Sequence, residues 1–535
     1  MFPEQKPTLP TWSKTTVKSR TRRFKKESSG LLNGTEFILM QNKTNNTIQA
    51  FWVAMGSLSS FALGIVSAAI LSRYFDKAEY GTYRQILYVY SILLVIFSAG
   101  LPRVFAYFLP RYPLKQGKHI VWKVSKLLFF FGMAFSIVLF ISSGLIAQIL
   151  KNPELEIGLR YFSPIPMLLL PTLGIEGIFS TYKKTIYIAI YNTITRILML
   201  LCIVLPVILL NGTYLYAIYG WIAVSVFSLG IAWYFKGIPF KNVSREKANL
   251  RFKEIFSYSI PLVTASMAGV AIRSADQFYI SRFFGPEVFA EFANGFIELP
   301  FVAMITGATS VVLMPVFSKS FHEKGNLNDL IRTWNNALNK SALIIYPLVV
   351  FFIAYATQIM VLLYSEKYII SGVYFQIKMF LNFFNIVIFA PLFFSMGKTR
   401  IYANVHIVLA ALVWTLDYFL IIIFNNPVAI AISSTSLQII KIIYFIFLAS
   451  NILKIGFFKF FPVKQLLKYV LHAGSVALIT KLISWYLLDI NSLLVELIVI
   501  GACYGLLLLI TAPLLKTNYI SFLYPLIEKI KQKNK

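Results

Sequence analysis

Residues 51–83 read FWVAMGSLSSFALGIVSAAILSRYFDKAEYGTY, and this stretch decides the fold. Its first 22 residues contain no charged side chain, and a run of about 20 such residues is long enough to cross the hydrocarbon core as a helix. From Ser72 onward it becomes polar and aromatic, as a chain does where it leaves a membrane. The stretch therefore predicts a membrane helix followed by a short loop.

The whole chain has the same character. Its 535 residues are 58% hydrophobic and only 13% charged, and the mean hydropathy is +0.71. Soluble domains are about half apolar and a quarter charged, so soluble enzymes and DNA-binding domains are excluded. Two cysteines, Cys202 and Cys503, both within apolar runs, can form neither a disulfide framework nor a cysteine-based metal site. The composition predicts an all-α polytopic membrane protein.

Apolar runs of spanning length recur along the chain. We predict fourteen transmembrane helices at about 48–71, 86–109, 127–150, 161–182, 186–210, 213–235, 257–281, 292–316, 341–364, 370–396, 401–424, 427–450, 466–488 and 493–515. Two of them are weakly marked, because 161–182 is interrupted by three prolines and 370–396 contains Lys378.

The basic residues predict the orientation. The formal net charge is +29. Counting Lys468 with the loop before it, 37 Lys and Arg fall in the two tails and in alternate loops, and seven fall on the opposite side. Because cytoplasmic loops are enriched in Lys and Arg, both termini are predicted to be cytoplasmic and the +29 is a topology signal. We expect no nucleic-acid partner.

An internal repeat organises the spans. Ser72–Tyr83 matches Ser281–Phe292, with Ser-Arg-aromatic-Phe at the same place after spans one and seven, and Ser180–Tyr187 matches Ser395–Tyr402. The offsets are 209 and 215 residues, so spans 1–6 and 7–12 are predicted to be two similarly oriented six-helix lobes, with two extra C-terminal helices. The predicted units are a basic cytoplasmic tail, the N-lobe, a linker, the C-lobe, the two extra helices and an amphipathic tail, at 1–47, 48–235, 236–256, 257–450, 451–515 and 516–535.

The exit of the first helix carries a family resemblance. Arg73-Tyr74, a short loop and Tyr80-Gly81 resemble the polysaccharide (O-antigen type) flippases of the multidrug/oligosaccharidyl-lipid/polysaccharide exporter superfamily, although the second copy has Phe289-Ala290 in place of Tyr-Gly. The resemblance spans about 48–515. It implies a transporter in a bacterial cytoplasmic (inner) membrane that moves an undecaprenyl-pyrophosphate-linked oligosaccharide to the outer leaflet by alternating access, for cell-surface polysaccharide biosynthesis.

Ionisable residues within spans mark candidate sites, because they are costly in a bilayer. Helical spacing places Asn192, Thr195, Arg196 and Met199 on one stripe, and two further stripes are Lys378-Asn382-Asn385 and Ser434-Gln438-Lys441. We hypothesise that the cationic side chains hold the pyrophosphate and the neutral polar ones face the sugars, the full set being Arg103, Arg196, Arg273, Lys378, Lys441, Tyr187, Tyr191, Asn382 and Asn385. The alternative is structural pairing, as Arg273 and Asp276 are one helical turn apart.

Four intramembrane acids, Asp276, Glu298, Asp417 and Glu176, are candidates for coupling transport to a proton or sodium gradient. No catalytic or metal-ligand constellation is present in the sequence, so we expect no enzyme and no cofactor. Expected partners are the lipid-linked oligosaccharide, membrane lipids and polysaccharide-assembly proteins, and the expected state is a monomer. Open alternatives are a multidrug exporter, a peptidoglycan-precursor flippase, a membrane enzyme acting on polyprenyl phosphate, or a non-transporting membrane scaffold.

Overall fold

The structure is a computed structural model that describes residues 49, 51–323, 326–487, 492–515 and 519. The predicted basic tail, 1–47, lies outside the described residues, as does the predicted amphipathic tail, 516–535, apart from Tyr519. All regular secondary structure in the described part is helical, as predicted.

The first half of the bundle contains nine helices: α1 (Phe51–Tyr74), α2 (Lys77–Phe97), α3 (Leu101–Phe108), α4 (Leu114–Leu150), α5 (Glu154–Phe162), α6 (Ile165–Leu169), α7 (Ile175–Thr181), α8 (Ile186–Leu210) and α9 (Tyr214–Gly237). The described residues of the second half contain α10 (Phe252–Gly295), α11 (Pro300–His322), α12 (Leu327–Ala354), α13 (Ala356–Tyr364), α14 (Ser371–Phe380), α15 (Ala390–Ser395), α16 (Thr399–Phe424), α17 (Pro427–Leu453), α18 (Phe457–Phe460), α19 (Val463–Leu487) and α20 (Leu493–Thr511).

Most of the predicted spans are found as helices, and three of them are bent or interrupted. Twelve spans in the described residues are long and apolar enough to cross a membrane, and there are thirteen if the pair Lys77–Phe97 and Leu101–Arg111, bent by 45°, is counted as one span. The predicted span 370–396 is not one continuous helix, because α14 and α15 are separated by a short 3-10 turn and non-helical residues up to Phe389. The prolines of 161–182 also break that span, but its parts together pass as Glu154–Thr181.

Equivalent elements of the two halves end in the same way. Both α8 and α16 stop at an asparagine in the left-handed conformation, Asn211 (φ 46°) and Asn425 (φ 44°). Asparagine tolerates this conformation better than most residues, so it ends a helix without a glycine. These features agree with the repeat, whose exact domain boundaries remain a prediction.

The surface of the bundle is apolar where a membrane would surround it. Val311, Leu209 and Ile141 are each at least 73% exposed, and all lie within candidate spans. So many exposed apolar side chains would be anomalous on a protein surrounded by water, but they are ordinary on a surface that contacts lipid tails.

Candidate substrate cavities

A large cavity of about 810 Å³ lies beside α1, α8 and α9. This volume is within the roughly 300–1,000 Å³ of typical ligand sites. Polar side chains contribute much of its wall: Ser57, Ser60, Arg84, Thr172, Glu176, Tyr191, Asn192, Thr195, Arg196 and Ser228. Aromatic residues Phe61, Tyr90, Trp221 and Tyr364 and several aliphatic residues line the rest, so the large cavity offers polar, aromatic and aliphatic surfaces to a ligand.

Arg196 is the predicted cation that this cavity contains. The whole stripe Asn192, Thr195, Arg196 and Met199 lines it, as helical spacing predicted. The Arg196 guanidinium donates to the Met199 sulfur at 3.6 Å, a weak acceptor. Among the described residues no carboxylate oxygen lies within 4.0 Å of its nitrogens, so its charge has no ion-pair partner there. Tyr191 and Glu176, also predicted, line the same cavity.

Arg84 is a second cation of the large cavity, although the predicted start of the second span at residue 86 leaves it in a loop. The reason is that α2 begins at Lys77, nine residues before the predicted start at 86. Asp76 caps this helix by accepting from the backbone N–H of Glu79 at 2.7 Å. Asp-x-x-Glu is a sequence signature of a helix start, so the signal was present in the chain.

A small cavity of about 100 Å³ in the second half collects five of the predicted residues: Glu298, Lys378, Asn382, Asn385 and Lys441. Lys378 is buried, and its ammonium lies 3.8 Å from a carboxylate oxygen of Glu298 and 4.4 Å from the centre of the Phe296 ring. Lys441 and Gln438, from the third predicted stripe, complete the polar wall. Two lysines and one glutamate line the small cavity, so its lining has one more basic than acidic side chain.

Two buried carboxylates lie elsewhere in the second half. Asp276 on α10 is 2% exposed and accepts hydrogen bonds from the Ser434 hydroxyl at 3.2 Å and the Gln277 backbone N–H at 3.0 Å. Asp417 on α16 is fully buried and lies within electrostatic range of Asp276. No group of three side chains that could hold a metal ion occurs among the described residues.

Three predicted substrate residues lie outside both cavities. Arg103 and Arg273 are exposed on α3 and α10. Arg273 makes no ion pair with Asp276 either, because one side chain points outward and the other into the protein. Tyr187 stacks on Phe179 at 5.3 Å between ring centres. Helical spacing alone did not show which face of these helices turns outward.

The two copies of the repeated motif pack against each other and form what we call the seal, the contact of residues 73–88 with residues 274–294. Lys77 pairs with Glu291 at 2.7 Å, and the Tyr80 hydroxyl donates to the Asn294 side-chain oxygen at 2.9 Å. Arg84 donates to the Ala293 carbonyl at 2.7 Å. The seal joins the two halves of the bundle.

Three solved structures similar to this chain are of membrane transporters. The lipid II flippase MurJ in an inward closed conformation superposes with a TM-score of 0.65 at 14% identity, covering 86% of this chain and 98% of MurJ. An inward-facing multidrug resistance MATE family transporter of the MOP superfamily gives 0.61 at 12% identity, covering 75% and 98%. A MOP superfamily transporter from Pyrococcus furiosus gives 0.53 at 11% identity, covering 76% and 94%. These likenesses show that the chain has the polytopic fold of MurJ and the MATE transporters.

The family follows from sequence. Residues 70–371, more than half of the chain, match the family described as polysaccharide biosynthesis protein. The chain therefore belongs to the polysaccharide biosynthesis protein family, and the resemblance noted at Arg73–Gly81 is confirmed. A search of curated proteins finds no match.

Proposed function

We propose that this protein flips a polyprenyl-pyrophosphate-linked oligosaccharide across the membrane for cell-surface polysaccharide biosynthesis. The observation that carries the proposal is Arg196, a guanidinium with no carboxylate partner among the described residues, in the wall of an 810 Å³ cavity. Arginine binds phosphate oxygens in pairs through its planar fork. An unpaired cation at this depth is costly, so it favours an anionic guest.

The rest of the large cavity suits a saccharide. Tyr191, Asn192 and Thr195 offer hydroxyl and amide groups to sugar hydroxyls. Trp221 and Tyr90 present aromatic surfaces, and sugars have apolar ring faces that pack on such surfaces. Glu176 in the same wall would favour a cationic drug, but Arg84 and Arg196 outnumber it.

The seal supports alternating access. In the orientation predicted from Lys and Arg, the seal lies at the outer face of a bacterial cytoplasmic membrane. The headgroup would enter the large cavity from the cytoplasmic side, and the two halves would then rock until the seal opens outward. The lipid tail would remain in the bilayer throughout.

The buried acids are the proposed coupling groups. Asp276 and Asp417 lie on different helices, α10 and α16. A proton or sodium ion bound between the two carboxylates would therefore reduce the electrostatic repulsion between these helices. Glu298 is 63% exposed in its side chain and paired with Lys378, and Glu176 is exposed, so both suit headgroup contact better than ion coupling.

Flipping of a fluorescent polyprenyl-pyrophosphate-linked disaccharide in proteoliposomes tests the proposal. Arg196→Ala removes charge-assisted hydrogen bonds of about 1.5–3 kcal/mol, so we expect flipping to fall roughly 10- to 100-fold. The matched control is Arg332→Ala, an exposed arginine on α12, which should flip as the wild type does. Equal flipping in all three proteins would refute the cationic-cavity mechanism, and a wild type that moves only cationic drugs would favour an exporter.

A further inference from the structure

An apolar groove of about 420 Å³ lies between α16 and α17 on the exposed side of the second half. Val405, Val408 and Leu412 line it from α16, and Leu437, Ile440 and Tyr444 line it from α17. Both sets follow the i, i+3, i+7 spacing of one helix face. Val408 is 56% exposed and Ile440 59% exposed, so the groove opens toward the surrounding bilayer.

One residue joins this groove to the polar interior. Lys441 lines both the groove and the small cavity. It lies 14 residues after Pro427 and 12 before Leu453, the ends of α17, and so about 18–21 Å from either end. That is too far for an ordinary lysine side chain to reach water at the membrane surface, and no described carboxylate oxygen lies within 4.0 Å of its ammonium.

Apolar shape alone would not select a ligand here. Lipid tails solvate an exposed helix face as well as any other hydrocarbon does, so there is no hydrophobic gain on entering the groove. The half-buried cation Lys441 at the inner edge changes this, because an anion attached to the tail gains an electrostatic partner. The occupant that fits both features is a long hydrocarbon chain ending in a phosphate.

The large and small cavities have neighbouring walls. Ile297 and Pro300, at the corner between α10 and α11, line the large cavity, while Glu298 and Leu299 line the small one. A single turn of chain thus separates the two cavities. A headgroup in the interior and a tail in the groove can be parts of the same lipid.

We propose that the groove between α16 and α17 binds the polyprenyl tail of the lipid-linked cargo, with Lys441 contacting the phosphate where tail and headgroup join. This inference rests on the proposed function for the identity of the cargo. The groove would keep the tail at a fixed place on the outside of the protein while the headgroup passes through the interior.

Photolabelling of the full-length protein in nanodiscs tests the groove without requiring transport. The probe is a polyprenyl pyrophosphate with a diazirine in its tail, and labelled peptides are mapped by mass spectrometry. We expect label on residues 401–412 and 437–444, competed by unlabelled polyprenyl pyrophosphate but not by equal phosphatidylglycerol. Lys441→Gln should lower this labelling at least fivefold.

Val408→Trp should fill the groove from the bilayer side and lower the labelling as well. Its control is Ile423→Trp, on the same helix, 67% exposed and outside the groove, which should leave labelling unchanged. Label that is spread evenly over the bilayer-facing helices, or that phosphatidylglycerol competes equally well, would overturn the proposal that the groove binds the polyprenyl tail. If the wild type flips the cargo but is labelled elsewhere, the tail-binding groove is refuted and the proposed function stands. Wild type that is labelled in the groove but does not flip would refute the proposed function alone.

Discussion

Lys236 shows how a single buried charge can hold a broken membrane helix. The residue is 6% exposed, and its ammonium donates to the carbonyls of Pro171 (2.6 Å) and Leu173 (2.8 Å) and to the Ser125 hydroxyl at 3.1 Å. Those two carbonyls lie where the prolines interrupt the span between α6 and α7, so they have lost their helical donors. Unsatisfied carbonyls are costly inside a membrane protein, and the lysine supplies what the helix cannot.

Replacing this lysine should therefore destabilise the protein. Lys236→Met removes charged hydrogen bonds to two buried carbonyls and should cost about 2–4 kcal/mol, seen as a lower melting temperature in detergent. Flipping should fall too, because Leu173 lines the large cavity. Lys241→Met, an exposed lysine nearby, is the control and should melt like the wild type. Equal melting temperatures would show that the break does not depend on the lysine.

Between elements, the contact of α2 with α10 explains the residues of the repeated motif. A Cβ atom at Gly81 would collide with the backbone of Pro286, so glycine is required for the two helices to approach this closely. Gln85 donates to the Ser281 hydroxyl at 2.8 Å, and the Tyr88 hydroxyl donates to the Ser274 carbonyl at 2.9 Å. The motif is therefore an interface between the two halves.

A wider side chain at Gly81 should hold the seal apart. Gly81→Val is expected to increase the reaction of seal residues with a membrane-impermeant thiol reagent added outside, measured at Tyr80→Cys. The control is Gly64→Val on α1, where no atom lies within 4 Å of the added Cβ. Unchanged external reactivity in Gly81→Val would mean that α2 and α10 do not close this face.

The ion pair of the seal permits a reversible test. Lys77→Glu should weaken the closed state and change flipping by only a few-fold, because a partly exposed ion pair contributes about 0.2–1 kcal/mol. Restoring the pair in reverse, with Lys77→Glu and Glu291→Lys together, should recover wild-type flipping. A disulfide between Lys77→Cys and Glu291→Cys should stop flipping, and a reductant should restore it. Continued flipping by the cross-linked protein would contradict an opening seal.

At the scale of the whole molecule, the closed seal predicts one-sided access to the large cavity. In a variant without Cys202 and Cys503, Asn192→Cys should react with an impermeant maleimide added to the cytoplasmic face and not with reagent added outside. Asn192 is suitable because it lines the large cavity. Reaction only with reagent added outside would mean that either the predicted orientation or the proposed resting state is wrong. A cysteine placed at Lys241, in the predicted cytoplasmic linker, would distinguish these two explanations, because its reactivity reports the orientation alone.

Much of the architecture was determined by the sequence itself. Run length and low charge located the membrane helices, because a bilayer leaves backbone groups no partner outside a helix. The polar stripes were predictable as well, because ionisable residues within a membrane span avoid lipid. Arg196, Lys378 and Lys441 do line cavities. The start of α2 was missed because its first turns are polar, although Asp76 marks it.

Only the tertiary structure decided which of these residues meet. Arg103 and Arg273 resemble Arg196 in sequence, yet they are exposed, because the facing of a helix depends on neighbours far along the chain. The pairing of the two motif copies, the use of Lys236 to hold a broken span and the joining of a groove to a cavity at Lys441 are all contacts between distant segments. Local spacing determines a face of one helix, and only the packing of many helices determines what that face meets.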